Sequence, residues 1–131
     1  MSEKAIICVD DEAIVLKSLK EQMMRSLGDE YIFEVSDSPE EALEIIEELN
    51  EDGVSIVIVV SDWLMPQMKG DEFLIEVHRK FPEIVTILLT GQADEEAIDR
   101  AKQEANLHCC IRKPWNEKEL TKTLKAALAT L

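Results

Sequence analysis

No apolar run in the sequence approaches the roughly 20 residues that a membrane-spanning helix needs. Its start, Met1 to Lys4, lacks the basic opening and long apolar stretch of a secretory leader. Both absences point to a cytoplasmic protein. A disulfide framework is also missing: there are 3 cysteines, an odd number, with Cys109 and Cys110 adjacent. A reducing compartment is expected, with Cys8, Cys109 and Cys110 acting as small buried hydrophobes in strand-like runs. Cations are scarce, since 14 Lys and Arg against 28 Asp and Glu leave a formal charge of -14. Binding nucleic acid or an anionic membrane through a basic face needs clustered Lys and Arg, so neither is an expected partner. A cationic ligand or a complementary protein surface suits this charge better. There is no low-complexity tract, no internal repeat and no segment left over for a linker. The 131 residues suit one domain over residues 1–131, without an output domain.

What is present alternates. Short, β-branched apolar runs occupy Ala5 to Val9, Tyr31 to Val35, Ser55 to Val60, Ile84 to Leu89 and Cys109 to Ile111. They have the length and composition of strands. Between them the apolar residues take helical spacing: Leu16, Leu19, Met23 and Leu27; Ala42, Leu43, Ile46 and Leu49; Phe73, Leu74, Val77 and Phe81; Ala97, Ile98, Ala101 and Ala105; then Leu120, Leu124, Leu128 and Leu131. Ser38-Pro39-Glu40-Glu41 and Asn116 with Glu119 are helix-start signatures, and Gly28 suits a helix end. Five β-α units imply an α/β fold: a five-stranded parallel sheet with helices on both faces, doubly wound. The third run, Ile56 to Val60, is apolar throughout and belongs at the centre. The expected strand order is 2-1-3-4-5.

In such a sheet, ligands bind beyond the carboxyl ends of the strands, where the order reverses. The first strand delivers Asp10 and Asp11 there, the third Asp62, the fourth Thr90 and the fifth Lys113-Pro114. Converging carboxylates repel one another and must hold protons or a cation. Hard oxygen ligands suit Mg²⁺, with Mn²⁺ as an alternative. A carboxylate can attack phosphorus and form an acyl phosphate, while a cation, an ammonium and a hydroxyl each hold one phosphoryl oxygen. Asp62, ending the central strand, is the best-placed nucleophile. Each residue alone has a plainer reading: Asp10-Asp11 as caps of the next helix, Thr90 as a turn hydroxyl, Lys113 as a surface charge. Their meeting at one edge of one sheet argues for chemistry.

The pattern Asp10-Asp11, Ser61-Asp62-Trp63-Leu64-Met65-Pro66 with Gly70, Leu89-Thr90-Gly91 and Lys113-Pro114-Trp115 resembles the receiver domain of bacterial two-component response regulators, over essentially the whole chain. The resemblance implies a flavodoxin-like fold and a set of roles. Asp62 would be the phosphoacceptor. Asp11, Asp62 and the backbone carbonyl of Leu64 would bind Mg²⁺ directly, and Asp10 mostly through water. Thr90 and Lys113 would grip the phosphoryl oxygens, and the Lys113-Pro114 bond would be cis. Ile14, Val15 and Ser18 would form the docking surface for a histidine kinase or histidine phosphotransfer protein. The fourth helix, fifth strand and fifth helix would face an unknown output protein.

Two departures matter. Receivers usually carry Tyr or Phe three residues before the lysine, and here that switch position is Cys110. Coupling through Thr90 would then rely on backbone shifts after the fourth strand, on His108 two residues earlier on the same strand face, or on a redox-sensitive thiol. Leu64 and Gln92 stand where the family tunes the loss of the phosphoryl group. Leu64 cannot orient a water, so a long phosphoryl lifetime is expected.

The expected function is therefore a single-domain response regulator that is not an enzyme beyond its own phosphorylation and dephosphorylation. A receiver fragment of a longer regulator, or a relay or sink receiver without its own effector, is the alternative. An aspartate-dependent phosphohydrolase would want an acid two residues after Asp62 and a cap insertion. A flavodoxin-type carrier would want a glycine- and hydroxyl-rich loop where Asp10-Asp11-Glu12 stands. A degenerate, phosphorylation-independent module would lack some of the five site residues.

Overall fold

The computed structural model describes residues 3–91 and 95–131. The elements alternate: β1 (Lys4–Val9), α1 (Ala13–Leu27), β2 (Tyr31–Ser36), α2 (Pro39–Glu51), β3 (Ser55–Asp62), α3 (Gly70–Lys80), β4 (Val85–Thr90), α4 (Glu95–Glu104), β5 (Leu107–Arg112) and α5 (Glu117–Leu128). All pairings are parallel, in the order β2-β1-β3-β4-β5. No helix among the described residues is long and apolar enough to cross a membrane.

Local chemistry accounts for the helix ends. Ser38 accepts the Glu41 backbone N–H at 3.1 Å, with Pro39 first in the helix, and Asn116 accepts that of Glu119 at 2.7 Å. Gly28 closes α1 at φ 72°, a left-handed conformation that glycine adopts without strain. Leu131 departs from its expected place: it lies past the end of α5 and is exposed, so the apolar stripe stops at Leu128.

The sheet separates two cores. Ile7, Val9, Val59, Phe73, Leu74 and Leu88 are buried on the side of α2, α3 and α4. Ile6, Cys8, Leu19, Ile58, Ile87 and Leu124 are buried on the side of α1 and α5. β3, buried from Ile56 to Asp62, is the central strand that its unbroken apolar run implies. Two bulges break the two-residue period. One makes Val57 the extra residue opposite β1; the other makes His108 the extra residue opposite β4. The second corrects an expectation. Leu107 and Cys110 both pack with the α2–α4 core, three residues apart, because the extra residue His108 shifts the alternation between them. His108 therefore does not share the face of Cys110.

Candidate functional site

Parallel strands put all their carboxyl ends on one rim, and backbone hydrogen bonds hold those ends together. Asp10 N–H donates to Ser36 O at 3.2 Å, Trp63 N–H to Leu89 O at 2.9 Å and Lys113 N–H to Thr90 O at 3.0 Å. The side chains of Asp10, Asp62, Thr90 and Lys113 are thereby delivered to neighbouring strand tips. Asp10, Asp11 and Asp62 each offer a carboxylate oxygen within 4.8 Å of the others. Lys113 Nζ lies 2.8 Å from Asp10 Oδ2 and 3.0 Å from Asp62 Oδ1. Asp11, Asp62, Leu64, Thr90 and Lys113 line a single cleft of about 600 Å³. The sequence-derived cluster is thus assembled as expected.

Burial within the cluster is uneven. Asp10, Asp62 and Thr90 are buried, whereas Asp11 is exposed at the mouth. Asp10 is engaged on both oxygens, because Oδ1 also accepts the Glu12 backbone N–H at 2.9 Å. That bond closes the turn into α1, but it does not make Asp10 or Asp11 a cap of the next helix, so the plainer reading of the pair as caps is corrected. The N-cap itself is Glu12, with no side-chain cap bond. Among the described residues Asp11 has no such engagement, and its exposed carboxylate stands at the mouth of the cleft.

The charges are frustrated. Burial pushes the Asp62 carboxyl above its usual pKa range; the Lys113 hydrogen bond pulls it back, and Asp10 and Asp11 push it up again. For Lys113, burial pulls downward, but hydrogen bonds to Asp10 and Asp62 outweigh it and hold the ammonium above its ordinary value. One ammonium against three carboxylates leaves an excess of negative charge. The donor set is all hard oxygen, partly buried and open on one side. Those properties fit Mg²⁺ or Mn²⁺, which keep some water and take one or two carboxylates directly.

The β3–α3 loop turns tightly just behind Asp62. Gly70 N–H donates to Trp63 O at 2.7 Å. A Cβ on Gly70 would sit 2.0 Å from the Asp62 carbonyl oxygen, so only glycine allows α3 to start this close behind β3. Leu64, exposed at 62%, stands at the cleft edge. The Lys113-Pro114 bond is cis, as expected.

On the α1 side, Ile14, Val15 and Ser18 line a second cleft, of about 510 Å³, shared with Gln22, Lys113, Pro114 and Trp115. Ile14 is 77% exposed, unusual for so apolar a side chain. Gln22 and Trp115 were not evident as part of this surface from sequence. Gln22 Oε1 accepts the Trp115 indole N–H at 2.8 Å, and its Nε2 donates to Ser18 Oγ at 3.0 Å. The helical spacing of Ser18 and Gln22 could have indicated half of this; the Trp115 contact spans the chain.

Cys110 is half-buried on the α4 side. Burial raises its thiol pKa, only partly countered by nearby Lys102. Burial likewise raises Cys109, and pushes Cys8 up to about 12. These thiols are protonated at neutral pH, which speaks against a redox-sensitive switch at Cys110. Gln92 lies outside the described residues.

Comparison with known proteins places this site in context. The family model described as the response regulator receiver domain matches residues 6–125. The chain is 32% identical over 130 residues to the hydrogenase transcriptional regulatory protein HoxA of Cupriavidus necator, covering 98% of this chain and 25% of that protein. It is 32% identical over 127 residues to the sensor kinase CckA of Brucella abortus, covering 97% of this chain and 13% of the other. It superposes on a CheY-like receiver domain protein from Methanospirillum hungatei with TM-score 0.85 and 29% identity, covering 98% and 96% of the two chains. The chain spans from 13% to 49% of the length of the curated relatives it matches.

Proposed function

Because the chain belongs to the response regulator receiver family, we propose that Asp62 is its phosphoacceptor and that the domain works as a Mg²⁺-dependent switch. The observation that carries this reading is the meeting of Asp10, Asp11, Asp62 and Lys113 at one rim, with Thr90 on the next strand tip.

The chemistry follows from those positions. An Asp62 carboxylate oxygen attacks the phosphorus of a phosphohistidine donor. The P–O bond forms as the P–N bond breaks, and the departing imidazole nitrogen keeps the electron pair and takes up a proton. Lys113, already bonded to the Asp62 carboxylate, shifts its ammonium to a phosphoryl oxygen, and the Thr90 hydroxyl holds another. Asp11 and Asp62, with the Leu64 carbonyl, would hold Mg²⁺ directly, and Asp10 would do so mostly through water. When bound, the cation supplies charge neutralisation and fixes the orientation of the phosphoryl oxygens. Leu64 offers no group to orient an attacking water, which favours a long-lived acyl phosphate.

The donor is a histidine kinase or histidine phosphotransfer protein. It docks on the cleft of Ile14, Val15 and Ser18, whose apolar lining ends at Lys113. The domain's catalysis is limited to its own phosphorylation and dephosphorylation. Output is a change in protein–protein contacts, achieved by binding phosphate more tightly in one conformer than in another.

The test is intact-mass spectrometry after incubation with Mg²⁺ and acetyl phosphate. Wild type is expected to gain one phosphoryl group, lost on hydroxylamine treatment, and Asp62→Asn to gain none. A wild-type protein that stays unmodified with Mg²⁺ and donor in excess would overturn the reading.

A further inference from the structure

Among the buried charged residues, Asp71 has no part in the cleft. It sits in the first turn of α3 and is only 2% exposed. A carboxylate so buried needs partners to offset its desolvation. It has two, from different parts of the chain. Oδ1 accepts the Trp63 indole N–H at 3.1 Å, and Oδ2 lies 3.4 Å from an Arg100 guanidinium nitrogen on α4. Trp63 is the residue immediately after Asp62, its ring packs on the α2–α4 core, and Lys69 Nζ stands 4.7 Å over that ring.

We infer that Asp71 is a positioning residue that latches α4 to the loop carrying Asp62. Displacement of the Asp62–Trp63 peptide moves the indole, the indole moves the carboxylate it is bonded to, and Arg100 carries the change to the middle of α4. This is a second line to α4, separate from the backbone route through Thr90. It runs through two side-chain contacts where Cys110 is too small to fill the volume of a ring. The geometry favours a latch over a passive contact. The neutral bond to Trp63 fixes one oxygen inside, and opening the charged bond to Arg100, itself 47% exposed, would leave the buried carboxylate without its charge partner, which holds the pair closed until the loop moves.

The inference rests on the phosphoacceptor reading only for what moves the loop. The ion pair and its hold on α4 can be measured without metal or phosphate, so the two ideas fail separately. The experiment is hydrogen exchange by mass spectrometry on the full chain, metal-free and with Mg²⁺ plus beryllofluoride, with α2 as reference. In Arg100→Ala the metal-free exchange of α4 should rise about five- to tenfold while α2 stays within twofold of wild type. The change in α4 that beryllofluoride produces in wild type should shrink correspondingly, with Mg²⁺ affinity by calorimetry unchanged within about twofold, as expected for a residue outside the cleft. Arg100→Lys should restore part of the protection, because the charge remains but the planar fork is lost. Asp71→Asn, which keeps an acceptor for Trp63, should have the α4 effect of Arg100→Ala, and the double variant should add little to either. Wild-type α4 exchange in Arg100→Ala, or acceleration of α2 and α4 alike through global loosening, would overturn the latch. A wild type that binds no beryllofluoride would overturn the phosphoacceptor reading while leaving the metal-free comparison decisive for the latch.

Discussion

Two loops flank the cleft, and each follows its key residue with a tryptophan, yet the two are anchored differently. In the β3–α3 loop, Trp63 is tied to a buried carboxylate and through it to Arg100 of α4. In the β5–α5 loop, Trp115 is tied to Gln22, a neutral and partly exposed side chain of α1, and through it to Ser18. The first anchor is charged, buried and directed toward α3 and α4. The second is neutral, wetter and directed toward the surface proposed for docking. A buried charged contact has two distinct arrangements, made or broken, and suits transmission. A neutral amide contact is cheaper to remake and suits holding a surface in shape.

The hardest way to break this comparison is at Gly70, the tight turn of the first loop. Gly70→Ala should destabilise the protein by about 3 kcal/mol or more, since the new methyl meets backbone that cannot swing aside. Urea unfolding would measure this; a loss under about 1 kcal/mol would show that the loop yields. The next largest effect tests the cation that both loops border. At a hundred times its dissociation constant, Mg²⁺ should raise wild-type stability by about 2.7 kcal/mol. The rise should vanish in Asp62→Asn, as read by thermal unfolding.

The third test uses pH. Burial raises the Asp62 carboxyl, so protons compete with the cation. Mg²⁺ affinity should fall up to about tenfold per unit as pH drops below that raised value. Metal-free stability should run the other way. The folded chain binds this proton more tightly than the unfolded one, so the Asp62 contribution improves as pH falls through the raised pKa toward the ordinary one. Lys113, raised as well, contributes fully below the ordinary lysine value and loses its contribution as pH climbs through the raised one. Calorimetric Mg²⁺ binding without pH dependence would contradict the assignment of Asp62 as ligand. The smallest effect separates the loops: Gln22→Ala should cost about 1 kcal/mol and shift Trp115 emission while leaving Mg²⁺ affinity unchanged. An equal loss of Mg²⁺ binding would mean that both loops serve the cleft alike.

Most of the fold was legible because its signals are local. Strand runs, helical stripes, Ser38 and Asn116 caps and the alternation of elements all depend on residues a few positions apart, and the parallel order follows from the alternation. Strand ends were less so: β5 runs from Leu107 rather than Cys109, and its bulge turned His108 away from the face of Cys110. A bulge has no strong sequence mark, so period counting fails there.

By itself, the sequence determined which residues stand at the strand tips, because a parallel sheet brings every carboxyl end to the same rim. Asp10, Asp11, Asp62, Thr90 and Lys113 were therefore readable as one cluster. Only the tertiary structure decided which side chains pair across that rim and behind it: Lys113 with two carboxylates, Trp115 with Gln22, and Asp71 with Trp63 and Arg100. The physical reason is that a side-chain contact depends on the relative placement of whole helices and loops, which the packing of the two cores sets and no spacing along the chain encodes.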